Sequence, residues 1–256
     1  MKPAKPYKIY IMQYAARDTH TSQILLGDPH RLPVGMAYYM WALSNGEHTV
    51  VVDMGFTEEV CKMRERSWVA DPAARLDAVG IDPAKVEHVI VTHMHWDHVG
   101  NYALFPNATF YVQEDEMAFW TGPYAKYQVF QRSMEIDDVV ALVRHNYGGR
   151  IGFCQGMEEI VPGIRVHRVS GHTKGMQIVE VATASGTAVV ASDASHYYRN
   201  YQEHTPFTTL HGIPGFLDGF ELVRRLASRE ELILPGHDPQ VLQRHPLHCE
   251  GVAVLE

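Results

Sequence analysis

Short hydrophobic runs, separated by polar and glycine-containing segments, recur along the whole chain. Runs of about four to eight apolar residues bounded by turn residues are typical of buried strands. In the unit 35–56 two such runs flank Asn45-Gly46, which favours a hairpin with a type I′ turn, because both central residues of that turn need a positive φ. The pattern predicts further strands at 7–14, 86–92, 108–113, 163–171, 176–183, 186–193 and 231–238.

Three other segments carry helical signals. Residues 71–81 have an aspartate N-cap, a proline at the first helical position and a glycine near the end. Residues 214–228 repeat apolar side chains at helical spacing, and residues 114–147, rich in aromatic residues and methionine, look mostly helical. Strands in series that are interrupted by helices predict a layered α/β protein with its functional residues on loops along one edge.

Composition narrows the class of protein. The 256 residues carry a net charge of −8 and no basic tract, which argues against nucleic-acid binding. The three cysteines are far apart and form no CxxC pair, as expected in a reducing compartment. No stretch is long and apolar enough to span a membrane, and the N-terminus has no signal-peptide pattern, so we expect a cytoplasmic protein without a membrane partner. The 16 histidines are unusual and direct attention to a metal site.

The segment IVTHMHWDHVGNY, residues 90–102, follows an apolar strand and contains His93, His95, Asp97 and His98. Polar side chains buried at a strand end are costly unless they share a partner, and a metal ion is such a partner. In extended backbone the side chains at positions 93 and 95 point the same way. If the chain then turns into a helix, those at 97 and 98 reach a neighbouring position, which suggests a second ion.

Three further candidate ligands follow apolar strands downstream: His172 in VSGHTKG, Asp193 in VVASDASH and His237 in LILPGHDPQ. Imidazole and carboxylate groups are common ligands of divalent metals. The sequence therefore predicts a site for two metal ions, assembled from strand ends that are distant in the chain.

The full set, from the His-x-His-x-Asp-His motif to PGHDPQ, resembles that of the metallo-β-lactamase fold superfamily over nearly the whole chain. The resemblance implies an αββα sandwich of two mixed β-sheets flanked by helices. Residues 1–256 would form one domain with a helical, aromatic-rich insertion at about 114–150. The resemblance also implies the roles of the ligands: His93, His95 and His172 for one metal, Asp97, His98 and His237 for the second, Asp193 as the bridge, and Asp53 as a buried carboxylate that braces the ligands.

Within the superfamily the chain is most similar to the N-acyl-homoserine lactone lactonase group, on the segments SDAS and GHDPQ. A bridging Asp193 argues against true β-lactamases, and His95 argues against the flavo-di-iron branch. Low basic content argues against RNA-processing members, and the C-terminal tail lacks the basic glutathione-binding segment of hydroxyacylglutathione hydrolases. In the lactonases a tyrosine three residues after the bridging aspartate touches the substrate carbonyl. Here that position is His196, followed by Tyr197, so either residue supplies the donor or the substrate class differs.

The resemblance implies a dinuclear-metal hydrolase that opens a lactone ring by attack of a metal-bridging hydroxide. Tyr197 or His196 would stabilise the oxyanion, and Asp97 or Asp193 would relay the proton. Zinc is the expected metal, with iron, manganese and cobalt left open. The substrate would be an N-acyl-homoserine lactone, which implies quorum quenching, or another small lactone such as a pyridoxolactone-like compound. A thioesterase or a persulfide-oxidising dioxygenase on the same fold stays open, as does a non-enzymatic metal-binding protein. We expect a monomer or a homodimer.

The aromatic segment 117–136 is the candidate wall of the substrate pocket. Met117, Phe119, Trp120 and Tyr124 would suit an apolar acyl chain or an aromatic lactone, or they simply pack this segment onto the sandwich. Trp96, inside the motif, either flanks the site or packs behind it.

Overall fold

Two β-sheets lie at the centre of the computed structural model, which describes residues 5–256. The sequence predicts no signal peptide at the N-terminus. Positions 1–4 of that segment lie outside the described residues. Within residues 5–256, no helix has the length and apolar character needed to cross a membrane. The same residues contain fourteen strands: β1 (Lys8–His20), β2 (Pro33–Ser44), β3 (Thr49–Val52), β4 (Ser67–Trp68), β5 (His88–Ile90), β6 (Thr109–Gln113), β7 (Ile151–Cys154), β8 (Met157–Val161), β9 (Ile164–Arg168), β10 (Gln177–Thr183), β11 (Gly186–Ser192), β12 (Ile233–Pro235), β13 (Leu247–Cys249) and β14 (Val252–Leu255).

Helices connect these strands. The α-helices of the described residues are α1 (Thr21–Ile24), α2 (Glu58–Met63), α3 (Pro72–Ala78), α4 (Trp96–Val99), α5 (Glu114–Trp120), α6 (Gln128–Gln131), α7 (Ile136–Tyr147), α8 (Tyr198–Gln202), α9 (Ile213–Leu226) and α10 (Gln240–Arg244). Single 3₁₀ turns occupy Pro83–Lys85, Tyr102–Leu104 and Glu230–Leu232. The segment between β6 and β7 thus contains three helices, α5 to α7.

Both sheets are mixed. The first has the order β13-β14-β1-β2-β3-β5-β6-β7, with β4 paired to β1. Its strands β3, β5, β6 and β7 run parallel, whereas the pairs from β13 to β3 are antiparallel. The second sheet has the order β12-β11-β10-β9-β8 and is antiparallel except between β11 and β12.

Two buried apolar clusters hold the layers together. In β3, Val50 and Val52 belong to the cluster shared with the second sheet, whereas Val51 belongs to the cluster that includes Leu142 of α7. This alternation is the two-residue period of a strand that is buried on both faces. Phe220 of α9 belongs to the cluster of the second sheet. Helices therefore cover the sheets from outside, and the predicted αββα sandwich of two mixed sheets is confirmed.

The strands that precede the candidate ligands end at one edge of this sandwich. Strands β3 and β5 are parallel, so their carboxyl ends lie side by side. Strands β9 and β11 each pair antiparallel with β10, and β12 pairs parallel with β11, so these three also end together. Loops at the carboxyl ends of such strands are common places for binding and catalytic residues, because the sheet fixes their origins.

Two local predictions are wrong in detail. The predicted type I′ turn is instead a four-residue loop between β2 and β3, in which only Gly46 has a positive φ. The Asn45 side-chain oxygen accepts two backbone N–H groups of this loop, at 2.9 and 2.8 Å, and so replaces the tight turn. The strand predicted over 86–92 is shorter in the structure, where β5 has three residues. Past its carboxyl end, the Thr92 N–H donates to the Asp53 carboxylate rather than to a neighbouring strand.

Helix α7 contains a buried carboxylate without a hydrogen-bond partner. Asp138 is only 8% exposed, and its Oδ2 contacts no donor in the described part of the chain. Burial, together with the nearby carboxylates of Glu135 and Asp137, raises the pKa of Asp138 to about 7. Between about pH 4 and pH 7 the folded state keeps a proton that the unfolded chain has released. Stability therefore falls as the pH rises through this window and stays lower above it.

We expect the substitution Asp138→Asn to stabilise the protein at neutral and alkaline pH but not in acid. Because the amide removes the cost of ionisation, the gain in unfolding free energy should be near zero at about pH 4 and level off at roughly 1–3 kcal/mol above about pH 7. Urea unfolding across this pH range measures it. Asp137→Asn, at the exposed neighbouring position, should change the free energy by less than about 0.5 kcal/mol. A gain for Asp138→Asn that is independent of pH would contradict the explanation.

Candidate metal centre

Each candidate ligand lies in a loop or short helix directly after a strand that ends at the shared edge. The ligands are His93, His95, Asp97 and His98 after β5, His172 after β9, Asp193 after β11 and His237 after β12. All seven are buried, none being more than 8% exposed. The fold gathers them into two adjoining groups.

One group consists of His93, His95 and His172, whose ligand atoms all lie within 4.8 Å of one another. The backbone at His95 is extended, and the rings of His93 and His95 are 4.6 Å apart between centroids. Their side chains thus point the same way, as expected for alternate residues in extended backbone. The His172 ring completes the group at 4.8 and 4.4 Å from those two rings.

The other group consists of Asp97, His98 and His237, again with ligand atoms within 4.8 Å. Asp97 and His98 lie in α4, which begins directly after His95. This change from extended to helical backbone directs their side chains to a second position. Asp97 Oδ2 lies 3.7 Å from Nε2 of both His98 and His237.

The Asp193 carboxylate lies between the two groups. Its Oδ2 is 3.3 Å from His172 Nε2 and 3.8 Å from His93 Nε2. Its Oδ1 is 3.1 Å from His237 Nε2 and 3.6 Å from His98 Nε2. Since His237 Nε2 also lies 3.3 Å from Oδ2, the carboxylate is within reach of both groups, as a ligand shared by two ions must be.

Hydrogen bonds to the backbone fix the tautomers of two histidines. Nδ1 of His172 lies 2.8 Å from the carbonyl oxygen of Thr209, and Nδ1 of His237 lies 2.7 Å from that of Ala37. Because a carbonyl oxygen can only accept, each Nδ1 carries the proton, and each Nε2 presents a lone pair to the centre when the ring is neutral. This outer hydrogen bond is the usual device that orients a metal-binding histidine.

Asp53, the residue directly after β3, orients two other ligands, His98 directly and His93 through Thr92. Its carboxylate accepts hydrogen bonds from the Thr92 N–H and hydroxyl, both at 2.8 Å, from His98 Nδ1 at 2.7 Å and from the Ser192 hydroxyl at 3.3 Å. Since the Thr92 hydroxyl donates to Asp53, it accepts from His93 Nδ1, 3.0 Å away. Asp53 and Ser192 both adopt left-handed backbone, with φ of +59° and +45°, a conformation that costs about 1 kcal/mol or more outside glycine.

The donor set fits two divalent cations. In the described residues, two buried atoms of the centre lack any hydrogen-bond partner: Nε2 of His98 and Oδ1 of Asp193. Nε2 of His93 and Nε2 of His172 face each other at 3.2 Å, although the outer hydrogen bonds give both a lone pair. Leaving such buried groups unpaired costs roughly 1–3 kcal/mol each. Cations bound by these atoms remove that cost, and imidazole with carboxylate is a donor set that suits zinc.

Burial and an uneven distribution of carboxylates set the charge of the histidines. Burial, with the neighbouring imidazoles, lowers the pKa of His93 and His95 well below the usual value, so both are neutral. Burial also opposes protonation of His98 and His237, but nearby carboxylates, including Asp193, outweigh it and raise the pKa of both rings. The second group thus lies in negative potential, which favours a cation there.

The two candidate carbonyl donors differ in position. His196 Nε2 lies 2.8 Å from Asp193 Oδ2, and its ring stacks on Phe207 with centroids 3.3 Å apart. Burial lowers the pKa of His196 to about 3 despite the adjacent carboxylate, so the ring is neutral. The Tyr197 hydroxyl instead donates to the Gly35 carbonyl oxygen, 2.7 Å away, and the side chain belongs to the apolar cluster of the first sheet. Only His196 has its polar atom among the ligands.

A cavity of about 320 Å³ opens beside His95 and His172. Phe119 and Trp120, two of the predicted wall residues, line it, whereas Tyr124 stacks on Phe119 from outside the cavity. The cavity is thus aromatic on one side and mainly polar elsewhere. Its remaining lining residues include Phe130, Gln23, Arg132, Ser133, Thr208, Thr209 and His211.

Met117 of the predicted wall lies behind the site, and so does Trp96, which was predicted either to flank the site or to pack behind it. Met117 is buried in the apolar cluster of the first sheet. Trp96 packs on Phe56, with ring centroids 4.7 Å apart, under the Arg64 guanidinium. These side chains support the loops of the centre rather than line the cavity.

Three residues that hydrogen-bond around the ligands are not among the predicted site residues: Thr92, Ser192 and Glu116. Thr92 and Ser192 directly precede His93 and Asp193, so inspection of the neighbours of each ligand could have found them. Glu116 had no such signal. It belongs to an acidic run at positions 114–116, and acidic residues are common in the first turn of any helix.

Comparison with known proteins agrees with this geometry. The sequence profile described as the metallo-beta-lactamase superfamily matches residues 32–237. An N-acyl homoserine lactonase from a Bacillus species is 26% identical over 241 residues, covering 85% of this chain and 86% of that protein. Another, from Bacillus thuringiensis, is 24% identical over 229 residues, covering 80% of this chain and 82% of that protein.

Solved structures of low sequence identity share the fold. A quorum-quenching N-acyl homoserine lactone lactonase superposes with a TM-score of 0.75 at 20% identity, covering 93% of this chain and 95% of that chain. A dizinc quorum-quenching lactonase superposes with a TM-score of 0.70 at 14% identity, covering 99% and 96%. The sandwich and its connections are therefore those of a known group of structures.

We expect Asp53→Asn to weaken metal binding about 10- to 100-fold, as is typical when a partner of metal ligands is lost. All four hydrogen-bond partners of Asp53 can donate, and an amide nitrogen in place of one oxygen cannot accept from them. Competition with a chromogenic chelator measures the affinity. Asp77→Asn, an exposed carboxylate in α3, is the control. Equal affinities for the two variants would show that Asp53 does not hold the ligands in place.

Proposed function

This chain belongs to the metallo-beta-lactamase superfamily, and on that premise we propose that it is a metal-dependent hydrolase that opens lactone rings. The observation that carries the proposal is the pair of adjoining ligand groups on either side of Asp193. Similarity to N-acyl homoserine lactonases over 85% of the chain supports hydrolysis of a carboxylic ester bond as the reaction.

Each group of the centre would hold a separate metal ion. His93, His95 and His172 would hold one ion, Asp97, His98 and His237 would hold the second, and the Asp193 carboxylate would be shared by the two groups. When bound, two divalent ions supply Lewis-acid polarisation of an ester carbonyl and acidification of a water molecule. The Asp97 carboxylate would accept the proton released when water attacks the ester carbonyl and would deliver it to the leaving oxygen. Its side chain is 11% exposed against 3% for Asp193, which supports this assignment.

We assign the donor at the substrate carbonyl to His196 rather than Tyr197. The His196 ring is neutral, so one nitrogen carries a proton, and its Nε2 already lies among the ligand atoms. The stacking on Phe207 holds the ring in place. The Tyr197 hydroxyl is engaged by the backbone carbonyl of Gly35 in β2. A donor aimed at the developing oxyanion is among the larger contributions to acyl-transfer catalysis.

The substrates in this proposal are N-acyl-homoserine lactones or other compact lactones, and with the former the protein would quench quorum sensing. A cavity of about 320 Å³ with one aromatic and one polar side suits a lactone ring carrying a polar or short acyl substituent. Zinc is the proposed metal, supported by the imidazole and carboxylate ligands and by the dizinc lactonase of the same fold. The three cysteines form no disulfide, which is in keeping with the cytoplasm.

The test is to measure metals per chain and to follow acid release at constant pH across lactones, linear esters, thioesters and a persulfide. We expect two metals and turnover that is selective for lactones. Selective thioester hydrolysis would replace the proposed substrate, and one iron with oxygen uptake on the persulfide would replace the proposed reaction. Metal content without turnover of any compound would indicate a binding protein.

Removing the shared carboxylate should affect both metal content and rate. In Asp193→Ala both groups lose this ligand, so we expect fewer metals per chain and a fall in kcat/KM of more than about 100-fold, beyond the usual effect of losing an outer partner. Asp77→Ala, at an exposed site, should match the wild type in both. Unchanged metal content in Asp193→Ala would remove this residue from the ligand set.

His196→Ala and Tyr197→Phe separate the two candidate donors. We expect His196→Ala to lower kcat about 100-fold, the usual cost of losing an oxyanion donor. Tyr197→Phe removes only the hydrogen bond to Gly35, so it should keep kcat and lose about 1 kcal/mol of unfolding free energy. Steady-state kinetics and urea unfolding of both variants measure this. The reverse order of kcat values would assign the donor to Tyr197.

A further inference from the structure

We infer that Glu116 of α5 is a positioning residue that sets the geometry of the first ligand group, formed by His93, His95 and His172. Glu116 is fully buried, with 0% exposure. Burying the carboxylate of a glutamate costs free energy unless hydrogen bonds satisfy its oxygens. Here four hydrogen bonds do so, and their partners belong to the metal-binding loops and to the cavity wall.

The Oε1 atom of Glu116 is bonded to the motif loop and the cavity wall. It accepts from the Met94 N–H at 3.0 Å and from the Trp120 indole N–H at 2.8 Å. Met94 lies between the ligands His93 and His95, so this bond fixes the backbone from which both rings project. Trp120 lines the cavity, and its ring lies 5.4 Å from that of His95.

The Oε2 atom of Glu116 is bonded to the loop after β9. It accepts from the Thr173 hydroxyl at 2.7 Å and from the Gly175 N–H at 3.0 Å. Thr173 directly follows the ligand His172. A side chain at Gly175 would collide with the backbone of Glu116, so this loop lies directly against α5. One carboxylate therefore joins two loops that are distant in sequence and that together supply all three histidines.

The chemistry of the four partners explains why the residue must be a carboxylate. All four donate, and a carboxylate presents acceptors only. An amide whose NH₂ group takes the place of Oε2 would face two donors, the Thr173 hydroxyl and the Gly175 N–H. The Thr173 hydroxyl can rotate to accept from it, whereas the Gly175 N–H cannot. Glu116→Gln should therefore loosen the loop that carries His172 while it preserves the volume of the side chain.

This inference rests on the metal centre proposed above but not on the substrate, so metal binding alone can test it. We would titrate the metal-free protein with cobalt, following the visible absorption bands of the bound ion and competition with a chelator. For Glu116→Gln we expect one ion to bind as in the wild type and the other about 10- to 100-fold more weakly, with altered absorption bands. His172→Ala and His237→Ala identify which ion belongs to which group.

Asp138→Asn is the matched control, since it also converts a buried carboxylate to an amide in the helical segment between β6 and β7, but the buried Oδ2 of Asp138 has no hydrogen-bond partner in the described residues. Unchanged cobalt binding in Glu116→Gln, an equal loss in Asp138→Asn, or a loss confined to the ion that His237→Ala removes would each overturn the inference. A wild-type protein that binds no cobalt would instead refute the proposed metal centre.

A second pair of variants decides the question if Glu116→Gln does not fold. Thr173→Val removes a single hydrogen bond to Glu116, and Thr173→Ser retains it. We expect weaker binding of the first ion in Thr173→Val and wild-type binding in Thr173→Ser. Equal affinities in the two variants would overturn the inference.

Discussion

The two oxygens of Asp193 face five imidazole nitrogens at 2.8 to 3.8 Å, in a region almost closed to solvent. A buried carboxylate must have its charge compensated, and the ring nitrogens directed at it must have a partner. Cations satisfy both conditions at once. The surrounding structure can be understood from this constraint: backbone carbonyls, Asp53 and Glu116 each hold an outer atom or a loop in place, so that the inner nitrogens remain directed at Asp193.

Much of the site could be predicted because its information is local. The spacing of the four motif ligands predicts extended backbone at His93 and His95 and a turn into a helix at Asp97 and His98. In the structure His95 is extended and the short helix α4 begins at the next residue. The other ligands follow apolar runs that are strands in the structure. The layered fold also followed from the order of strands and helices, since parallel strand ends gather their loops at one edge.

The features that could not be predicted from the sequence depend on contacts between distant segments of the chain. Strands β7, β8, β13 and β14 are short or partly exposed, so their hydrophobic patterns are weak, and their pairing is set by the sheets that they extend. The left-handed backbone at Asp53 and Ser192 has no local sequence signal, because it is imposed by hydrogen bonds across the two sheets. For the same reason Glu116 is indistinguishable in sequence from any acidic residue at the start of a helix. Which of His196 and Tyr197 faces the ligands likewise depends on contacts with distant segments.

The placement of the ligands along the chain, from position 93 to position 237, also has a kinetic meaning. The His93–His98 loop belongs to the first sheet and the loops of His172, Asp193 and His237 to the second. Contacts between residues so far apart form late, because closing long loops costs entropy before any interaction repays it. The complete ligand set therefore exists only after the two sheets have docked, so tight binding of a metal ion would follow that docking rather than initiate folding.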